Sequence, residues 1–191
     1  AIEAYSSKNR NNNPISRMYA IEALKLLIGS IDKAVFHGDS EKARANMLKG
    51  SMFAGIAFAN SPVAAVHALA YPIGGIFHIP HGLSNALILP YVLRFNQLDQ
   101  KAAHAYADLC DYIWPLKDPK KGIQYKSSFF IEKLTELSER LGLEARLRDV
   151  GIPKEACEKM AKESMKQTRL LVNNPRFITE KDSLDIYLAA W

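Results

Sequence analysis

The stretch His67-Ala-Leu-Ala-Tyr71-Pro72-Ile-Gly74-Gly75-Ile-Phe-His78-Ile-Pro80-His81-Gly82 holds three of the chain's five histidines, with two prolines and three glycines among them. Apolar, helix-patterned sequence flanks it on both sides. Imidazole is the commonest metal-ligating side chain and a frequent proton-transfer group. Gathering several of them between two buried-looking helices points to a site and not to packing alone. The Tyr71-Pro72 step biases the backbone out of the helical region. The spacing therefore predicts a short helix from Pro62 to about Ala70, with Ser61 as its cap and Pro62 opening it. A turn-rich loop over residues 73–82 follows, then a new apolar helix from Leu83 with a kink at Pro90.

Outward from this stretch the pattern is helical almost throughout. Asn13 caps a helix opened by Pro14. Ile15, Met18, Ile21, Leu24, Leu27, Ile28 and Ile31 then form a wide apolar stripe at helical spacing. Ser40 caps a second long helix towards Asn60. Its small residues, Gly50 and Gly55 among them, permit close backbone approach. Residues 101–113 are amphipathic. A polar linker over 115–126 precedes a helix opened by Ser127 or Ser128 and stopped by Gly142. Pro153 opens a charged helix to about Thr168. Asn173-Asn174-Pro175 is a turn, and Thr179 to Asp182 is close to a capping box that opens the last helix. No alternating strand pattern or internal repeat is present. The expectation is an all-α, multi-helix domain of about eight helices.

The 191 residues fit one domain with a real core, and 48% of them are hydrophobic. The formal charge of +5 comes from 25 basic and 20 acidic residues. The basic side chains are scattered along amphipathic stretches, which describes a solvated surface and not a nucleic-acid footprint. No apolar run approaches the length of a membrane span. Two distant cysteines, Cys110 and Cys157, suit a reducing, cytoplasmic setting better than a disulfide framework.

Each candidate site residue has a bland role beside its chemical one. His67, among Val63, Val66 and Ala70, is either a metal ligand or a buried histidine satisfied by a backbone carbonyl. His81 sits between Pro80 and Gly82 on a rigid turn. Two imidazoles fourteen residues apart, either side of a tight loop, can converge on one ion, although this is no standard zinc spacing. Tyr71, four residues after His67, shares its helical face. Its phenol could donate to a substrate oxygen or serve as an aromatic core contact. His78 is a partner to the ligands or a simple loop residue. Gly74-Gly75 either lets a loop run close to a ligand or makes a turn. Phe58 and Asn60 end the small-residue helix in packing and capping roles, and Asn85 either orients a ligand or caps. His37 and His104 read as surface residues.

The run Gly55-Ile-Ala-Phe58-Ala-Asn60, then Val66-His67 to Gly75, then Pro80-His81-Gly82-Leu-Ser-Asn85-Ala-Leu-Ile-Leu-Pro90, resembles the iron-containing alcohol dehydrogenases. The opening Ala1 to Tyr5 and the ending from Asn174-Pro175-Arg176 to Trp191 resemble the same family, so the likeness covers the whole chain. It implies that residues 1–191 form the C-terminal helical, metal-binding domain of a two-domain enzyme. The partner N-terminal α/β domain, which binds NAD or NADP, has no counterpart in this sequence. The family's metal is held by an aspartate, a histidine four residues later and two further histidines. The last two map onto His67 and His81, and the first two would lie just before Ala1.

The likeness thus implies hydride transfer between an alcohol and NAD(P), with Fe(II), or alternatively Zn(II), polarising the alcohol oxygen. Many relatives carry a third histidine where this chain has Tyr71, which assigns the phenol a catalytic and cofactor-facing role in its place. Phe58 and His78 fall beside the cofactor and substrate channel. Residues 1–191 are expected to be a fragment, inactive alone, of a homodimer or higher homo-oligomer acting on a small alcohol or aldehyde. Two other expectations stand beside this one: a zinc-dependent dehydroquinate-synthase-like lyase on the same architecture, and a non-catalytic helical oligomerisation module.

Overall fold

The computed structural model describes all of residues 1–191. The elements are α1 (Ile2–Ser6), α2 (Pro14–Phe36), α3 (Glu41–Asn60), α4 (Ala65–Phe77), α5 (His81–Asn96), α6 (Gln100–Ile113), α7 (Ile123–Arg140), a 3-10 turn (Leu147–Val150), α8 (Ala156–Ser164), α9 (Thr168–Leu171) and α10 (Glu180–Ala190). The chain is all-α, as the periodicity predicts. Two short helices, α1 and α9, bring the number to ten. No single helix is long and apolar enough to cross a membrane.

Local capping chemistry sets many of the boundaries. Asn13 Oδ1 accepts from the Ile15 and Ser16 amides, and Pro14 opens α2. Ser40 Oγ accepts from the Ala43 amide to open α3. Gly142, at φ +76°, supplies the left-handed residue after α7. Thr179 and Asp182 form a reciprocal box that opens α10.

Packing overrides local preference at the stretch that matters most. α4 does not stop at Ala70. It runs through Pro72 and both glycines to Phe77, so the expected loop over 73–82 shrinks to His78-Ile79-Pro80. Leu69 and Ile73 are fully buried, and helical geometry is what keeps both in the core. Pro72 leaves the Ala68 carbonyl without a helical donor. On the next carbonyl, Leu69, the buried Tyr187 hydroxyl donates at 2.6 Å. His78 ends the helix at φ 57°, its amide donating to the Gly74 carbonyl at 3.0 Å. A Cβ on Gly74 would lie 3.3 Å from the Ile79 carbonyl oxygen, so glycine there lets the return link lie against α4.

Three further boundaries differ from the sequence pattern. Ser61 ends α3 instead of opening α4, because its hydroxyl is committed to the Ala4 carbonyl at 2.6 Å. α7 opens at Ile123, and Ser127 and Ser128 both donate to Gln97 Oε1 from inside the helix. α8 spans only Ala156–Ser164. It ends where Ser164 turns its hydroxyl into the core, to the Ala161 carbonyl and the Ser183 hydroxyl.

The helices enclose two hydrophobic cores. One gathers Leu69, Ile73, Ile88, Met160 and Tyr187 from α4, α5, α8 and α10. The other gathers Tyr5, Leu24, Leu93, Tyr106 and Phe130 from α1, α2, α5, α6 and α7. Helix α5 feeds both. Helices α2 and α3 pair so tightly that a Cβ on Gly50 would stand 2.8 Å from Leu27 Cγ. Cys110 and Cys157 are buried and unpaired, and burial pushes both thiols up from their ordinary range.

Candidate metal centre

His67 is the third residue of α4 and His81 the first of α5. The three-residue link folds α5 back along α4, and the two imidazole centroids come to 5.4 Å, with their planes 53° apart. An ion bound about 2.0–2.1 Å from one nitrogen of each ring, at a roughly tetrahedral angle, requires ring centres about 5 Å apart. The observed spacing fits that requirement. His81 is exposed and the His67 side chain is 29% exposed, so the pair opens to the surface.

The side chain behind His67 is one that the sequence patterns did not single out. Glu3 on α1 is 8% exposed. Its Oε2 lies 2.5 Å from His67 Nδ1, and its Oε1 accepts the Val66 amide proton at 2.7 Å. Residue Ala64, before α4, offers no side-chain cap. A first-turn amide of α4 is thus satisfied from a different helix. Nothing local could have revealed this, because the partners are 63 and 64 residues apart.

His81 has a neighbour one turn along α5. Asn85 Nδ2 donates to the His81 carbonyl at 3.0 Å and stands over the His81 ring, 3.1 Å from Nε2 and 3.5 Å from Nδ1. Asn85 Oδ1 is buried without a partner.

The remaining candidates lie elsewhere. Tyr71, 38% exposed, lines a hollow of about 220 Å³ with Pro72, Gly75, Lys159, Glu163 and Gln167, between α4 and α8. Gly75 faces open space there. His78 is exposed at the end of α4. Phe58, 48% exposed, lies near the end of α3. Neither contacts the histidine pair through a ring interaction or hydrogen bond. His104 is taken by its own helix, with Nδ1 2.7 Å from the Gln100 carbonyl. No group of three or more His, Cys, Asp or Glu side chains is placed to hold a metal ion.

Comparisons with known proteins place the chain in a family. The family model "Fe-containing alcohol dehydrogenase family, C-terminal" matches residues 1–191. Long-chain-alcohol dehydrogenase 1 of Geobacillus thermodenitrificans is 39% identical over 191 residues, which are 100% of this chain and 47% of that protein. The 1,3-propanediol dehydrogenase of Citrobacter freundii is 33% identical, again over 100% of this chain and 48% of its own length. A crystal structure of 1,3-propanediol oxidoreductase superimposes with a TM-score of 0.93 at 30% identity, covering 100% of this chain and 48% of that one. The chain spans about half the length of the curated relatives it matches. With fold, length and family model in agreement from Ala1 to Trp191, this chain belongs to the Fe-containing alcohol dehydrogenase family and corresponds to its C-terminal part.

Proposed function

We propose that this chain is the metal-bearing half of an NAD(P)-dependent alcohol dehydrogenase. The observation that carries the proposal is the His67–His81 pair, its ring centres 5.4 Å apart. His67 and His81 would hold a divalent ion, each through one imidazole nitrogen. Two further ligands, an aspartate and a histidine, would come from outside residues 1–191. When bound, the ion supplies Lewis-acid polarisation of an alcohol oxygen. Imidazole accepts iron and zinc alike, and Fe(II) is the family's name-giving choice.

The chain's own side chains hold the geometry and shape the approach. Glu3 holds the His67 ring, and Asn85 packs over the His81 ring. Tyr71, one turn beyond His67, presents a phenol at a surface hollow wide enough for part of a substrate or nicotinamide. Phe58 and His78 would line the outer channel. The exposed apolar residues of α2 and α3, Met18, Leu48 and Met52 among them, supply surface that the α/β half or a second subunit would cover. The nicotinamide itself carries the redox chemistry.

The experiment is NAD(P)-dependent oxidation of a series of primary alcohols and diols, with metal content measured on the same samples. The full-length protein should turn over with about one Fe(II) or Zn(II) per chain, while residues 1–191 alone should show no hydride transfer. Turnover by residues 1–191 alone, or full activity in a metal-free preparation, would overturn the proposal.

A further inference from the structure

We propose that Glu3 is the positioning residue of the metal centre: its carboxylate holds the His67 imidazole in the tautomer that leaves Nε2 free for an ion. The consequence for metal affinity rests on the function proposed above; the hold on the ring does not.

Two donors converge on this carboxylate. Val66 N–H reaches Oε1 at 2.7 Å, and His67 Nδ1 lies 2.5 Å from Oε2. An ionised carboxylate only accepts, so Nδ1 carries the proton, and the lone pair of the neutral ring sits on Nε2. A carboxylate behind a ligating histidine fixes ring orientation and raises the basicity of the ligating nitrogen. Here the carboxylate is itself well anchored. Ala4 and Tyr5 of the same helix are buried in the second core, and the Ala4 carbonyl is pinned by the Ser61 hydroxyl at 2.6 Å. Helix α1 therefore acts as a brace that reaches across to α4 and sets the ligand's aim.

Glutamine is the informative substitution because it keeps the size and loses one acceptor. With the side chain placed as Glu3 is, its single oxygen stands at Val66 N–H or at His67 Nδ1–H, where Glu3 puts one oxygen on each. Serving the buried backbone amide turns the NH₂ group towards Nδ1. The ring must then accept there and carry its proton on Nε2, where no lone pair remains for a metal. Glu3→Asp keeps two acceptor oxygens on a shorter arm.

The test is made on the full-length protein with ¹⁵N-labelled histidine. Ring nitrogen shifts of the metal-free protein, taken where the imidazole is neutral, report the tautomer. Chelator competition with Zn(II) reports affinity. The unsubstituted protein should show His67 protonated at Nδ1. Glu3→Gln should move the proton to Nε2 and weaken zinc binding by about 10–100-fold, with Glu3→Asp in between. An Nε2-protonated His67 in the unsubstituted protein would overturn the proposal even if Glu3→Gln failed to fold. So would a Glu3→Gln variant with unchanged tautomer and unchanged affinity. A tautomer switch in a protein that binds no zinc at all would sink the metal-centre reading and uphold the carboxylate's hold on His67.

Discussion

Asn96 and Asn174 exchange two side-chain hydrogen bonds: Asn174 Nδ2 donates to Asn96 Oδ1 at 2.7 Å, and Asn96 Nδ2 donates back to Asn174 Oδ1 at 3.0 Å. Both residues are buried, and the pair ties the last turn of α5 to the turn that follows α9. Asn174→Ala strands a buried donor and a buried acceptor on Asn96. The expected loss is about 1–3 kcal/mol, read as a lowered midpoint in thermal or urea unfolding. An unchanged midpoint would mean that the pair adds nothing to stability.

Removing either imidazole tests the centre directly. His67→Ala and His81→Ala should each abolish alcohol oxidation by the full-length protein and strip its metal. The fall in affinity should exceed the roughly 10–100-fold expected of a residue that only braces a ligand. His104→Ala is the control, because that ring is engaged by its own helix. Normal iron content and full activity in His67→Ala would remove that residue from the site.

Two glycines of α3 should respond in opposite ways to the same change. At Gly50 an added Cβ would lie 2.8 Å from Leu27 Cγ and 3.2 Å from the Ala23 carbonyl oxygen. Overpacking of this kind costs about 1–3 kcal/mol, which outweighs the gain of up to ~1 kcal/mol in helix propensity. At Gly55 nothing lies within 4 Å, so alanine keeps the propensity gain. Gly50→Ala should melt below the parent and Gly55→Ala above it, in paired calorimetric scans.

Stability should decline in alkali. Burial, reinforced by the nearby Asp108 charge, pushes the Tyr5 hydroxyl up to about 12 from its ordinary 10.0. Burial raises Tyr106 and Tyr187 as well. A folded-state value above the unfolded one means that the folded chain holds the proton longer. The contribution is complete below pH 10 and is lost as pH rises from 10 towards 12. Urea midpoints followed through that range should fall, and Tyr5→Phe should flatten the decline.

What the sequence made legible was local chemistry. Asn13-Pro14, Ser40, Gly142 and the Thr179–Asp182 box each act within three or four residues, so their effect is written next to them. The histidine pair was legible as residue type and spacing, and its convergence follows from one short link. What stayed hidden depends on distant partners. Pro72 and Gly74-Gly75 look like helix breakers until Leu69 and Ile73 are seen in the core and Tyr187 is seen on the Leu69 carbonyl. Ser61-Pro62 looks like a helix start until Ser61 is seen bound to Ala4. Glu3 carries no sequence signal at all, because its value lies in what α1 packs against.

Helix α5 gives Ile88 and Val92 to one core and Leu93 to the other. It is a party wall, and its first residue is His81. Both cores therefore hold the helix that carries His81 at its tip. The placing of the imidazole pair thus rests on packing well beyond the few residues around it.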